Sequence, residues 1–228
     1  MAVWSGIDSL RGLRVGGPRV YSVPMPLGSA LTTALRTGKP LSDGRFDSIY
    51  PPEIRVHSKI HFTPVKVALR VRDWLGNEPG LRVLDVGSGC GKFCLILGAT
   101  GPGRVSGIEQ RPNLHQAAVA ASQSMGLSNT EFLCGRMEDL DWAAYNVFYF
   151  FNPFYERIAQ RRSMDDKTPP HAGLYYEYVR VVREKLTLAK NGTRVLTYHG
   201  MGGRMPSDWL LVRTEEIHTD ELQLWVKP

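Results

Sequence analysis

Between residues 63 and 228 the spacing of apolar positions switches repeatedly between a helical and an extended period. In "TPVKVALRVRDWLG" (63–76), Val67, Val71, Trp74 and Leu75 fall on one helical face. Thr63 is expected to cap this helix, Pro64 suits its first turn and Gly76 can end it. Short apolar runs then alternate with longer amphipathic ones. Strands are expected at 81–86 "LRVLDV", 104–109 "RVSGIE", 130–135 "TEFLCG", 145–152 "YNVFYFFN" and 193–200 "TRVLTYHG". Helices are expected at 91–100, at 111–126 with Pro112 near its start and Gly126 at its end, and at 175–192, stopped by Asn191-Gly192. The last run, "WLLVRTEEIHTDELQLWVKP", reads as two strands joined by a turn.

Strand–helix alternation implies right-handed crossovers and a parallel sheet with helices on both faces. The terminal strand pair breaks the alternation and is expected to lie antiparallel at one edge. The expected fold is therefore α/β: a doubly wound, mostly parallel, seven-stranded Rossmann-like sheet with an antiparallel edge hairpin, in three α/β/α layers. Upstream, residues 1–45 are rich in Gly, Pro, Ser, Thr and Arg with little period, and read as an irregular basic leader. Residues 46–76 form a capping segment and helix, and 77–228 the core.

Composition changes this picture little. At 228 residues, 43% hydrophobic and 22% charged, the chain is ordinary for a globular protein. No run approaches the roughly 18 apolar residues of a membrane span, and no secretory signal is evident, so a cytoplasmic location is expected. Residues 1–45 contribute +4 of the net charge of +6, so the core is nearly neutral and the basic balance is weak evidence for nucleic acid. The three cysteines, Cys90, Cys94 and Cys134, read as free thiols, and neither they nor His57 and His61, four apart, make a convincing metal site.

The chemistry concentrates at "DVGSGCGK" (85–92), the first strand-to-helix turn. A phosphate loop would need G-x-x-x-x-G-K-[ST], but Val86 and Phe93 stand at two of its required positions. A dinucleotide fingerprint would need glycine at 92, where Lys92 stands. What remains is D-x-G-x-G-x-G. This pattern resembles the first motif of the class I, seven-stranded S-adenosylmethionine-dependent methyltransferases, and the chain as a whole is similar to bacterial members of that class. The resemblance covers about residues 63–228 and implies S-adenosylmethionine as cofactor. It implies that Asp85, Gly87, Ser88, Gly89 and Gly91 surround the amino-acid end of that cofactor, with an acid facing its ammonium.

Glu109, ending the second strand 24 residues after Asp85, can accept hydrogen bonds from ribose hydroxyls, with Gln110 beside it. Either a nicotinamide dinucleotide or S-adenosylmethionine would want that acid. After the third strand, "GRMEDL" carries Arg136 where many relatives have an acid, so Met137 and Glu138 or Asp139 are expected to meet the adenine. "FFNPFYE" (150–156) is similar to the [ND]-P-P-[YF] motif of methyltransferases acting on amino groups, with Phe154 replacing the second proline. It implies Asn152 as amine orienter beside Pro153, with Phe154 or Tyr155 as an aromatic wall. Tyr50 and Thr63 are expected near the methionine end. The basic loop 156–171 and His199 in "YHGMGG" are further candidates near the crevice.

The leading expectation is methyl transfer to an amine nitrogen of a protein or small molecule, with no metal and no membrane partner. The alternatives are transfer to a nucleic-acid amino base, an NAD-dependent oxidoreductase, and a non-catalytic binding module.

Overall fold

The computed structural model describes residues 25–101, 103–154 and 172–228. Seven strands form one sheet: β1 (Arg82–Val86), β2 (Arg104–Glu109), β3 (Thr130–Cys134), β4 (Val147–Phe150), β5 (Arg194–Tyr198), β6 (Leu210–Ile217) and β7 (Asp220–Val226). Their order is β3-β2-β1-β4-β5-β7-β6. The first five are parallel, while β7 runs antiparallel between β5 and β6. The expected terminal pair is thus present, with β7 inserted and β6 at the edge. Strand order reverses between β1 and β4, which opens a crevice above their carboxyl ends.

Alternate residues of each strand serve opposite faces. Val83, Val105, Val147, Tyr149 and Leu196 pack under α5 (Val65–Leu75), α6 (Lys92–Thr100) and α7 (Pro112–Met125). Leu84, Val86, Ile108, Phe148, Phe150 and Val195 pack under α8 (Ala172–Thr187) and the single 3-10 turns at Met137–Asp139 and Trp142–Ala144. Helix α8 ends at Thr187, before the expected Asn191; Gly192, at φ 81°, instead turns the chain into β5. Among the described residues no helix is long and apolar enough to cross a membrane.

The leader is not irregular where it is described. Residues Met25–Arg36 form α1, and Leu31 and Leu35 are buried in the cluster that contains α6 and α7. Thr32 Oγ1 donates to the Met125 carbonyl at 2.8 Å, tying α1 to the end of α7. The mixed composition hid an amphipathic helix whose stability comes from this packing. Residues 1–24 of the expected leader lie outside the described residues.

The segment after α1 is short helices: α2 (Asp43–Asp47), α3 (Pro52–Arg55) and α4 (Ser58–His61). Their anchor is Lys92, in the first turn of α6. Its side chain is only 3% exposed, and Nζ lies 2.7 Å from both Asp43 Oδ1 and Asp47 Oδ1. Asp43 Oδ1 also accepts from the Val65 N–H at 2.8 Å, at the start of α5. The expected cap, Thr63, is used differently: its hydroxyl lies 3.1 Å from the Tyr149 hydroxyl, and Asp43 does the capping.

Burial raises the pKa of Asp47 against the pull of Lys92, so removing the cation leaves a costly buried acid. Lys92→Met should destabilise the protein by about 3–5 kcal/mol at neutral pH in urea denaturation. Adding Asp47→Asn should recover part of that loss.

Candidate functional site

The first turn is built by backbone conformations that glycine tolerates. Gly87 has φ 77°, and a Cβ there would sit 2.7 Å from Pro153 Cβ, so the β1 turn and the end of β4 approach too closely for a side chain. Gly89 has φ 55°, and its absent Cβ would point into open space. Gly91 precedes α6 with φ 80°, and a Cβ would collide with Phe132 at 2.5 Å. Two of these glycines therefore serve packing, whereas Gly89 leaves room for a ligand.

Above the turn lies a cavity of about 420 Å³, within the roughly 300–1,000 Å³ of small-molecule sites. Gly87, Gly89, Glu109, Gln110, Met137, Glu138, Asn152, Pro153 and Phe154 line it, all expected from sequence. Asp85, Ser88 and Gly91 do not. Asp85 is 4% exposed beneath the turn and accepts a hydrogen bond from Cys94 Sγ at 3.4 Å. The Ser88 side chain packs against Gly107, where a Cβ would lie 2.6 Å from Ser88 Oγ. Side chains of β1 alternate, so Asp85 stands on the α6 side, bonded to Cys94, while Val86 lines the cavity. Tyr155 and loop 156–171 lie outside the described residues.

Glu109 is held rigidly. Its Oε2 accepts from the Gly89 N–H at 3.1 Å, and its Oε1 from the Arg111 N–H at 2.8 Å. The Arg111 guanidinium lies 3.7 Å from Oε1, so the carboxylate faces the cavity in a fixed orientation. The 3-10 turn after β3 is pinned by Trp142 Nε1, which donates to the Met137 carbonyl at 3.0 Å, and by Lys185 Nζ, which donates to the Glu138 and Leu140 carbonyls at 3.0 Å. Arg136, where an acid was expected from relatives, pairs with Glu138 at 2.5 Å. Glu138 lines the cavity and Asp139 does not.

At the other end, Asn152 adopts φ 38° and its N–H donates to the Gly200 carbonyl at 3.0 Å. Left-handed backbone is accessible to asparagine more than to most residues. Phe154 is buried with its ring 5.3 Å from that of Tyr178. Tyr50 and Thr63 do not reach the cavity. Tyr50 is buried against Phe62, and Ile60 and His61 of α4 line the wall in their place.

Arg111, Tyr178, His199 and Asp220 also line the cavity and were not assigned from sequence, except that His199 was a candidate. Only its place after a strand marked His199; Asp220 and Tyr178 carried no local signal. The His57 and His61 rings lie 6.1 Å apart, and among the described residues no group of three or more potential metal ligands occurs.

Residues 77–169 match the family described as "Methyltransferase domain". That segment, which carries β1 to β4 and the glycine turn, is thus similar to a methyltransferase domain. It is 34% identical over 126 residues, 55% of its length, to the human "tRNA (uracil-5-)-methyltransferase homolog A", covering 18% of that protein. It is 37% identical over 82 residues, 36% of its length, to "23S rRNA (uracil(1939)-C(5))-methyltransferase RlmD" of Shewanella sp. (strain ANA-3), covering 17%. The chain thus spans less than a fifth of either relative. Among solved structures, TrmN from Thermus thermophilus superposes with a TM-score of 0.54 at 19% identity, over 77% of this chain and 52% of that one, which shows a shared fold.

The cofactor of the class is S-adenosylmethionine, and the methyltransferase site fits it. Glu109 offers fixed acceptors for a ribose, Gly89 leaves open space, and Ile108 and Met137 give apolar walls. The dinucleotide alternative finds no support at Lys92, which is consumed by Asp43 and Asp47 beneath the site.

Burial pushes Asp85 up to about 7, with the Cys94 thiol pulling against this and the Glu109 charge adding to it. An acid protonated when folded but ionised when unfolded makes stability fall as pH rises between its two pKa values. Its contribution is fully present below about pH 4 and lost as pH rises through 7. Asp85→Asn should therefore gain stability relative to wild type on going from pH 4.5 to pH 7.5, by a few kcal/mol. Urea denaturation at the two pH values checks it, and a constant difference would remove the claim.

Proposed function

We propose that this methyltransferase transfers a methyl group to an amino nitrogen of an RNA base. Asn152 carries the reading. It lies on the cavity at the end of β4, in a left-handed conformation held by the Gly200 carbonyl, beside Pro153 and the buried Phe154. An asparagine carbonyl there can accept an amine N–H and aim the nitrogen, while Phe154 and Tyr178 offer aromatic surface to a flat base. The curated relatives are named for action on tRNA and rRNA, which supports RNA over the protein or small molecule first expected.

Those names specify uracil carbon 5, and the chain's cysteines favour nitrogen instead. That carbon is a poor nucleophile until a group such as a thiolate adds to the ring. Cys90 and Cys94 are buried, and none of Cys90, Cys94 and Cys134 lines the cavity. An amino nitrogen needs no covalent partner.

Bound S-adenosylmethionine supplies a methyl on a cationic sulfonium, a good leaving group. Glu109 would hold its ribose, Met137 and Glu138 would meet its adenine, and the Gly87–Gly89 turn would receive its amino-acid end. Asn152 and Phe154 would fix the acceptor in line with the methyl carbon, for which positioning is the expected large term.

Labelled S-adenosylmethionine and fractionated cell extract test the reading: RNA should take up the label. Label in protein or metabolite would overturn the RNA assignment, and binding without transfer to any fraction would favour a non-catalytic module. In calorimetry, Glu109→Ala should weaken S-adenosylmethionine binding by about 1.5–3 kcal/mol. Asn152→Ala should leave that affinity nearly unchanged while depressing turnover, and wild-type turnover would remove the orienter role.

A further inference from the structure

His199 and Asp220 come from separate elements and meet on the cavity wall. His199 directly follows β5, and Asp220 opens β7, which pairs with β5. His199 Nδ1 bonds Asp220 Oδ2. A carboxylate only accepts, so Nδ1 carries a proton, and in the neutral ring Nε2 bears the lone pair. The ring is further fixed by Phe151, with centroids 5.2 Å apart, and by Tyr198 at 4.5 Å.

We propose that His199, oriented by Asp220, is the catalytic base that takes the proton of the methyl acceptor. The inference rests on the proposed methyl-transfer reading of this cavity. Three observations carry it. His199 has φ 59°, a left-handed conformation uncommon outside glycine, though histidine adopts it more readily than most residues. The pair does little for stability: His199 is 34% and Asp220 38% exposed, and exposed ion pairs are worth at most about 1 kcal/mol. The next residue, Gly200, receives the Asn152 N–H, which couples the imidazole to the acceptor loop.

The placement also suits the chemistry. His199 on β5 stands three strand spacings from Glu109 on β2, about 14 Å, so the base and the sugar-binding acid occupy opposite ends of one cavity. As transfer occurs, the acceptor nitrogen forms its bond to the methyl carbon, the carbon–sulfur pair stays on sulfur, and the N–H proton moves to Nε2. Asp220 acts through His199 and is a positioning residue.

The test compares wild type, His199→Asn, Asp220→Asn and Asp220→Glu. Asparagine tolerates left-handed backbone, so His199→Asn is expected to fold. Nitrogen-15 NMR of the neutral His199 ring should show the proton on Nδ1 in wild type, loss of that preference in Asp220→Asn, and partial return in Asp220→Glu. His199→Asn should lower kcat by about 10²-fold or more with calorimetric affinity for S-adenosylmethionine unchanged. A wild-type ring protonated on Nε2, or undiminished kcat in His199→Asn, overturns the proposal. If label enters a fraction other than RNA, the RNA reading fails and the kcat comparison runs on that fraction. If no fraction is labelled, the transfer reading fails, and the base assignment, which rests on it, is overturned with it whatever the ring tautomer.

Discussion

A single buried ammonium group holds the cavity wall in place. Lys92 Nζ sits between Asp43 and Asp47, nearly out of water, at the point where α6 leaves the glycine turn. Burying a cation is costly unless it is paired, and here both partners come from the segment before the core. Asp43 serves twice, since it also caps α5. The ion cluster thus ties α2 to the turn, and α4, which follows closely in the chain, contributes Ile60 and His61 to the cavity. Asp47 remains raised in pKa by burial even beside the lysine, a sign of how dry this junction is.

Around that junction the sheet does the rest. Reversal of strand order between β1 and β4 leaves a gap at the carboxyl ends, and the Gly87–Pro153 approach closes its floor. Glu109, bonded to the Gly89 and Arg111 N–H groups, links the β1 turn to the end of β2. A fixed carboxylate can select a pair of hydroxyls without paying again for its own ordering. Asn152 and His199 stand toward the other end, linked through Gly200, whose carbonyl accepts the Asn152 N–H. One cavity is therefore held at Glu109 on one side and at Asn152 on the other.

Asp85 is buried at the end of β1. In D-x-G-x-G-x-G it looks like the ligand's counter-ion, yet strand alternation turns it toward Cys94. Its role here is within the layer under α6, where desolvation dominates its ionisation.

What the sequence determined by itself was whatever depends on near neighbours along the chain. Apolar periodicity located the core strands and helices, because burial on one face imposes its period on residues a few positions apart. Turn glycines and the acids at strand ends marked Glu109, Gln110, Met137, Glu138 and Asn152, since a βα turn puts its last strand residues at the crevice. The tertiary structure decided what depends on distance in the chain. Helix α1 emerged only through packing on α7, Lys92 found partners 45 and 49 residues upstream, and Asp85 was turned away by the pleat. Asp220 reached His199 because β7 folds back beside β5. No local pattern encodes such meetings, because the free energy that makes them is realised only when the sheet has closed.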